Sequence, residues 1–192
     1  MAAVLALSNK KVLLIGSDMR KPKIAEYLNI PNGDGLTCFL MDSKLSASDV
    51  IKTVPVYNFD VLQSGIVPPN PSELLMNVRF EELIADAKTK YDYIIVDTSP
   101  VSLVSDTLLL SQKADLFLYV VRANYLDKRM LEIPKKLYKE NKLPNMALLL
   151  NDTQANKGYG YGYGGYGYGY GVYGYGENEI KKPWWKKLKL KK

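Results

Sequence analysis

The length, composition and charge of the chain limit what kind of protein it is. Its 192 residues are 47% hydrophobic and 24% charged, the composition of a soluble globular domain with short appendages. The chain has no histidine and one cysteine, Cys38, which excludes a Ser/His/Asp triad, histidine zinc ligands and an intrachain disulfide. The net charge of +6 lies mostly in residues 158–192, where seven lysines accompany two glutamates, so the globular part shows no nucleic-acid signal.

The chain opens with a helical segment. Residues 1–7 are apolar, rich in helix formers and without an N-cap, and Ser8 and Asn9 end the pattern. The segment is too short for a secretory signal, and no apolar run approaches the roughly 20 residues that span a bilayer. We expect a cytoplasmic chain that starts inside a helix, with a first strand and its loop lying upstream.

Short apolar runs rich in Val, Ile, Leu and Tyr follow, each typical of a strand buried on both faces of a parallel sheet. The predicted strands are residues 12–15, 61–62, 93–96, 116–121 and 146–150. Between them, helical periodicity predicts helices over residues 23–28, 72–88 and 128–140, with Ser72 as an N-cap. Strands that alternate with helices predict an α/β fold, a parallel sheet flanked by helices and joined by right-handed crossovers.

The first candidate site follows the first strand. Residues 12–22 place Asp18 just beyond the strand, with Arg20 two residues later. Ligands of open α/β sheets bind beyond the carboxyl ends of the strands, where an acid can hold a water on Mg²⁺ or accept a hydroxyl proton. An equally good interpretation is that Asp18 caps the next helix and Arg20 is a solvated charge.

The second candidate lies in residues 91–100, where four apolar positions lead directly into Asp97 and Thr98. This is the Walker B pattern, in which the carboxylate binds Mg²⁺ beside the terminal phosphates of a nucleotide. Chance produces the same pattern in many buried strands. Two acidic strand ends in one sheet carry more weight than either alone, because a divalent cation needs several oxygen ligands at one place.

Two further segments end near the same predicted edge. Asn151 follows the run 146–150, and its amide can pair with a base edge, although turn formation explains Asn151 and Asp152 equally well. Residues 65–75 form a proline-stiffened loop that leads into a helix.

The end of the chain differs in composition. Residues 158–176 contain eight tyrosines and ten glycines in near alternation, which predicts a disordered segment, because a strand would leave one face of bare glycine. Residues 177–192 form a basic tail with Trp184 and Trp185. This tail either contacts an anionic membrane surface or is a solubilising charged end.

Together these segments resemble the cytoplasmic catalytic domain of bacterial tyrosine kinases, the autokinases of capsular and exopolysaccharide synthesis, whose core is related to the MinD-like deviant P-loop ATPases. The likeness covers essentially the whole chain. Residues 12–22 are similar to the Walker A′ motif of the family, residues 65–75 to its PPNPSELL element, and residues 94–100 to its Walker B strand.

The resemblance implies an autokinase that uses ATP and Mg²⁺. Asp18 would be the Walker A′ acid, Arg20 its companion and Asp97 the Walker B acid, with Asp18 and Asp97 on the metal and Asn151 near the adenine. Residues 1–157 would be a partial kinase domain, and residues 158–176 the phospho-acceptor cluster. The implied acceptors are Tyr159, Tyr161, Tyr163, Tyr166, Tyr168, Tyr170, Tyr173 and Tyr175.

The resemblance also implies a setting and partners. The chain would work in the cytoplasm at the inner face of the cell membrane, in a homo-oligomer or with paralogous kinase subunits. A polysaccharide chain-length regulator with its export machinery and a phosphotyrosine phosphatase would be further partners. Nucleic acid would not be one.

Two departures from the family pattern change the expected activity. Gly16 stands where the family usually has a first acid of the Walker A′ motif, and the sequence contains no G-x-x-x-x-G-K-[ST] loop. That loop cradles the phosphates and supplies a lysine and a metal-binding hydroxyl. We therefore expect a poor kinase when the chain acts alone. The alternative is a non-catalytic phospho-acceptor or pseudokinase remnant that an intact paralogue phosphorylates.

Overall fold

Strand β1 (Val12–Gly16) lies inside a mixed sheet in the computed structural model, which describes residues 1–101 and 106–153. It pairs in parallel with β3 (Phe59–Leu62) on one side and with β4 (Tyr93–Asp97) on the other. Strand β2 (Lys52–Val54) pairs antiparallel with β3, which gives the order β2-β3-β1-β4. The predicted parallel arrangement is confirmed. Strand β2, which has only three residues, was not predicted.

A second, two-stranded sheet follows. Strands β5 (Phe117–Arg122) and β6 (Met146–Asn151) pair in parallel along their whole length. The prediction that every strand is buried on both faces is wrong for β4, β5 and β6, which are largely half-buried or exposed. Within the described residues, β4 and β5 each pair along one edge only, and no residue of β5 or β6 belongs to the buried core.

The helices are short, and two predicted helices are each divided. The predicted helix 72–88 is α5 and α6, separated because Asn77 caps α6 by accepting a hydrogen bond from the backbone of Arg79. The predicted helix 128–140 begins as a 3₁₀ turn and continues as α8. The bounds are α1 Ala2–Leu7, α2 Ile24–Leu28, α3 Leu36–Met41, α4 Ala47–Val50, α5 Pro71–Leu75, α6 Val78–Lys90, α7 Asp106–Ser111, the 3₁₀ helix Lys128–Leu131 and α8 Glu132–Lys139.

Ser72 is not the N-cap that the sequence predicts. Asn70 occupies the cap position of α5 and Pro71 begins the helix, which suits a residue with a fixed φ and no N–H. Ser72 lies inside the first turn, and its hydroxyl donates a hydrogen bond to Asp106. The proline-rich segment therefore places the Ser72 hydroxyl in contact with Asp106.

The core holds β1 from both faces. Leu13 and Ile15 are fully buried against α3, α5 and α6, whereas Val12 packs with α1 and β3 on the opposite face. Burying one such side chain contributes about 1.5–3 kcal/mol. Because β1 is fixed from both sides, the residues that follow Gly16 leave the sheet at a defined place.

No helix among residues 1–101 and 106–153 is long and apolar enough to cross a membrane. The predicted tyrosine cluster 158–176 and basic tail 177–192 lie outside the described residues.

Candidate functional site

The carboxyl ends of β1 and β4 are joined by backbone and side-chain hydrogen bonds. Gly16 is in register with Asp97, and the next residue, Ser17, donates to the Asp97 carbonyl from its backbone N–H at 2.8 Å and from its hydroxyl at 2.7 Å. Ser17 is buried. This junction brings Asp18 and Asp97, predicted separately from two motifs, to the same edge of the sheet.

Asp18 is held through one of its carboxylate oxygens. Its Oδ1 accepts hydrogen bonds from the Ser99 hydroxyl at 2.7 Å and from the backbone N–H groups of Arg20 and Lys21, both at 3.1 Å. Within the described residues, Oδ2 accepts no hydrogen bond and remains available to a ligand. Asp18 does not cap the next helix, because the cap position of α2 is Lys23.

The Asp97 carboxyl group makes no side-chain hydrogen bond to the described residues. Although Asp97 is exposed as a whole residue, the protein around its carboxyl group partly desolvates it, and this raises its pKa. The nearby negative charge of Asp18 raises the pKa further. A cation between them would relieve both effects.

The two carboxylates fit Mg²⁺ better than they fit a metal ion that is bound entirely by protein side chains. In the described part of the chain, no group of three or more His, Cys, Asp or Glu residues could hold a metal ion. Mg²⁺ is typically bound by one or two carboxylates, with water and nucleotide phosphates as its other ligands. Asp18 and Asp97 supply that number of carboxylates.

Arg20 is held by an acid that the sequence analysis missed. Its Nε donates to Oδ2 of Asp106 at 2.7 Å and its Nη2 to Oδ1 at 3.3 Å, and the hydroxyl of Ser72 also reaches Oδ1. These hydrogen bonds, with that from Arg20 the strongest, lower the pKa of Asp106 despite its burial. Of the two interpretations of Arg20, that of a freely solvated charge is wrong, because Asp106 holds the guanidinium at one edge while 44% of the side chain is exposed.

Ser99 and Thr107 are also part of this network, although neither was predicted to be a site residue. The Thr107 hydroxyl donates to the Ser99 carbonyl at 2.5 Å, and both residues are buried. Ser99 in turn donates to Asp18. Their one sequence signal is position: Ser99 follows the Walker B acid by two residues, and Asp106 and Thr107 precede three leucines at the start of α7.

The structure explains why position 16 is a glycine. A Cβ there would lie 2.7 Å from the hydroxyl oxygen of Ser64 and 3.0 Å from its backbone nitrogen. The same hydroxyl donates to the Asp18 carbonyl at 3.1 Å. An acid at position 16 would displace Ser64 and release that support of Asp18.

Asn151 lies apart from this network. It ends β6 in the second sheet, and its carbonyl accepts a hydrogen bond from the backbone of Ala123 at 2.9 Å. No hydrogen bond among the described residues connects it with Asp18 or Asp97. The eight candidate phospho-acceptor tyrosines lie outside the described residues.

Comparison with known proteins identifies the relatives of the chain. Residues 1–132 match the family model described as an AAA domain. Tyrosine-protein kinase Wzc of Salmonella typhimurium is 38% identical over 165 residues, which are 85% of this chain and 23% of that protein. Tyrosine-protein kinase YwqD of Bacillus subtilis is 34% identical over 163 residues, which are 85% of this chain and 68% of that protein. The chain thus spans about a quarter of the longer relative and two thirds of the shorter one.

Solved structures show the same fold. The kinase domain of the Escherichia coli tyrosine kinase ETK superposes with a TM-score of 0.74 at 34% identity, covering 84% of this chain and 64% of that domain. The septum site-determining protein MinD of Pyrococcus horikoshii, solved with Mg-ADP, shares the fold at 20% identity with a TM-score of 0.61, covering 77% of this chain and 59% of that one. The fold is therefore that of the P-loop NTPases, and the chain belongs to the family of bacterial tyrosine-protein kinases.

Proposed function

We propose that the chain is the nucleotide-site and acceptor part of an ATP-dependent protein-tyrosine autokinase that regulates capsular or exopolysaccharide synthesis and export. The observation that carries the proposal is the meeting of Asp18 and Asp97 at the carboxyl ends of adjacent parallel strands. In open α/β sheets this edge is where ligands bind.

Three side chains at that edge would bind the metal ion and the phosphates. Asp18 and Asp97 would hold Mg²⁺, which neutralises charge on the phosphates of a bound ATP. Arg20 places a permanent positive charge beside them, because its guanidinium stays protonated at all physiological pH values. Asn151 would lie near the adenine, as the family resemblance implies.

The acceptors would be the eight tyrosines of residues 158–176, presented by one subunit to another. In the transfer, a tyrosine oxygen would form a bond to the terminal phosphorus of ATP, while ADP leaves with the electrons of the broken bond. The phenolic proton would pass to a base at the site. Each phosphate adds about −1.5 to −2 charges. Several of them would reverse the positive charge of this end of the chain and loosen contacts between subunits.

The setting of this reaction follows from the same proposal. The chain would act in the cytoplasm at the inner face of the membrane, with the chain-length regulator and export machinery, and a phosphotyrosine phosphatase would reset it. Other copies of the chain or paralogous kinase subunits would be its phosphorylation partners.

A second candidate function is a phospho-acceptor subunit without catalysis of its own. It is favoured by the eight tyrosines of residues 158–176, which can accept phosphate from another kinase whether or not these 192 residues hold ATP themselves. In that case the eight tyrosines would be modified by an intact paralogous kinase.

One phosphorylation experiment separates the two functions. The full chain is incubated with Mg²⁺ and ATP alone, and in parallel with an intact tyrosine kinase such as YwqD, and phosphotyrosine is mapped by mass spectrometry. If the chain has kinase activity of its own, it incorporates phosphate without the added enzyme, even at a low rate. The Asp18→Asn and Asp97→Asn variants then lose this activity while Asp86→Asn keeps it. Incorporation only with the added kinase supports the acceptor function, and no incorporation in either case contradicts both.

A further inference from the structure

Asp106, the first residue of α7, is a buried carboxylate with partners from two other parts of the chain. Only 4% of its surface is exposed. It accepts hydrogen bonds from Arg20, which follows β1, and from Ser72, which lies in α5. A buried carboxylate is unfavourable unless it is paired and hydrogen-bonded. Arg20 and Ser72 are therefore the groups that make a charge tolerable at this place.

The two partners of the ion pair differ in exposure. The side chain of Asp106 is 5% exposed, whereas that of Arg20 is 44% exposed. A guanidinium has five N–H donors, of which Asp106 takes one on Nε and one on Nη2. No other acceptor in the described residues takes a hydrogen bond from this guanidinium. Arg20 is thus anchored at one edge and presents its remaining donors outward.

The first turn of α7 is also connected to Asp18 by a second chain of hydrogen bonds. Thr107, which follows Asp106, donates to the carbonyl of Ser99, and the hydroxyl of Ser99 donates to Asp18. The backbone N–H of Arg20 donates to the same oxygen of Asp18. Two consecutive residues of α7 therefore support both the cation and the acid that follow β1.

We infer that Asp106 is a positioning residue that fixes the guanidinium of Arg20 beside Asp18, ready for the phosphate of a bound nucleotide. The inference rests on the proposed nucleotide site and assigns a residue to it that lies outside every motif in the sequence. Asp106 itself touches no ligand. It acts by removing the freedom of a long side chain, whose ordering would otherwise oppose binding.

Side-chain NMR of arginine tests the anchoring directly in the full chain. The Nε–H signal of Arg20 is assigned from its loss in the Arg20→Lys variant, and its hydrogen exchange is measured without nucleotide. Asp106→Asn is expected to speed that exchange about tenfold, because a charge-assisted hydrogen bond is lost. Asp86→Asn is the matched control, since it removes an exposed ion pair with Lys90 on α6 and should leave the Arg20 signal unchanged.

Binding of Mg-ADP tests whether the anchoring serves the site. Asp106→Asn should weaken binding about tenfold in the presence of Arg20 and should have no further effect in an Arg20→Gln background. A residue with only a structural role would lower the melting temperature and weaken binding equally in both backgrounds. That result, or unchanged exchange of the Arg20 Nε–H in Asp106→Asn, would overturn the inference.

The outcomes also distinguish this inference from the proposed function. If the wild-type chain binds no Mg-ADP, the proposed nucleotide site fails, and faster exchange in Asp106→Asn still establishes that Asp106 holds Arg20. If Asp106→Asn does not fold, Ser72→Ala takes its place, because it removes one hydrogen bond from Asp106 and keeps the ion pair. It should speed exchange by about twofold to threefold, and no change would count against the inference.

Discussion

At the residue scale, Asp97 illustrates how a candidate ligand differs from a stabilising residue. Its carboxyl group is partly desolvated, faces the negative charge of Asp18 and has no hydrogen-bond donor among the described residues. Both influences disfavour the ionised form. A group arranged in this way costs stability in the free protein and recovers it when a cation binds.

We therefore expect Asp97→Asn to stabilise the free chain at pH 7. The folded-state pKa of Asp97 is raised, so its ionised form destabilises the fold at neutral pH, and this penalty disappears once Asp97 is protonated in both states. Urea denaturation should show a higher midpoint for the variant at pH 7 and no difference below about pH 4. Asp86→Asn is the control and should be neutral or slightly destabilising. A lower midpoint for Asp97→Asn at pH 7 would show that the charge is stabilised by interactions absent from this account.

The sequence predicted the residues of the site unevenly. Asp18 and Asp97 follow buried apolar strands, and a strand end is a local feature that a short pattern can show. Asp106 became visible only in three dimensions, because its partner Arg20 is 86 residues away along the chain. The position of Asn151 near the adenine stays a prediction.

At the element scale, the loop that follows β3 packs backbone against backbone on the start of α3. The N–H of Leu36 donates to the Gln63 carbonyl at 2.8 Å, and the N–H of Thr37 donates to the Ser64 carbonyl at 2.9 Å. Gly35 lies directly at this contact, where a Cβ would stand 2.3 Å from the Gln63 oxygen and 2.6 Å from the Gly65 nitrogen. Gly65 itself has a φ of +82°, a conformation that favours glycine.

Gly35→Ala should consequently destabilise the protein by about 1–3 kcal/mol or more, because the atoms that a methyl group would meet belong to the backbone. Gly33→Ala is a matched control two residues away, where a Cβ would lie 3.4 Å from the flexible end of Lys52. It should change stability by less than about 0.5 kcal/mol. Equal unfolding free energies for the two variants in urea would refute this description of the contact.

Sequence patterns predicted the positions of most strands but missed four elements. The apolar runs of β1, β4, β5 and β6 gave their positions to within a residue, whereas α3, α4, α7 and β2 were not predicted. These four elements have three to six residues each, but α1 and α2 are equally short and were predicted, so length alone does not explain why they were missed. The exposure of β4 to β6 was mispredicted for a different reason, since apolar runs do not reveal which neighbours a strand has.

At the scale of the whole molecule, most of the net charge of +6 lies in residues 158–192, which contain seven lysines and two glutamates. If the lysines and tryptophans of residues 177–192 contact an anionic membrane, each basic residue near the surface contributes about 1 kcal/mol. That attraction falls off within a Debye length, which is about 10 Å at 0.1 M salt and about 3 Å at 1 M.

The full chain should sediment with phosphatidylserine-containing liposomes at 0.1 M salt and remain in the supernatant at 1 M. A variant with all seven lysines of residues 181–192 changed to glutamine should not sediment at either salt concentration, and neutral liposomes provide the lipid control. Sedimentation of the wild-type chain that persists at 1 M salt would contradict an electrostatic contact.

We propose that Asp18 and Asp97 form a divalent-cation site at the joined ends of β1 and β4. It is tested most directly by adding Mn²⁺ and ADP to the ¹⁵N-labelled chain, because a paramagnetic ion broadens the amide signals of nearby residues. We expect selective broadening of the signals of residues 16–20 and 97–99, which is lost in Asp18→Asn and Asp97→Asn and retained in Asp86→Asn. Broadening elsewhere in the protein, or the same broadening in all of these variants, would contradict it.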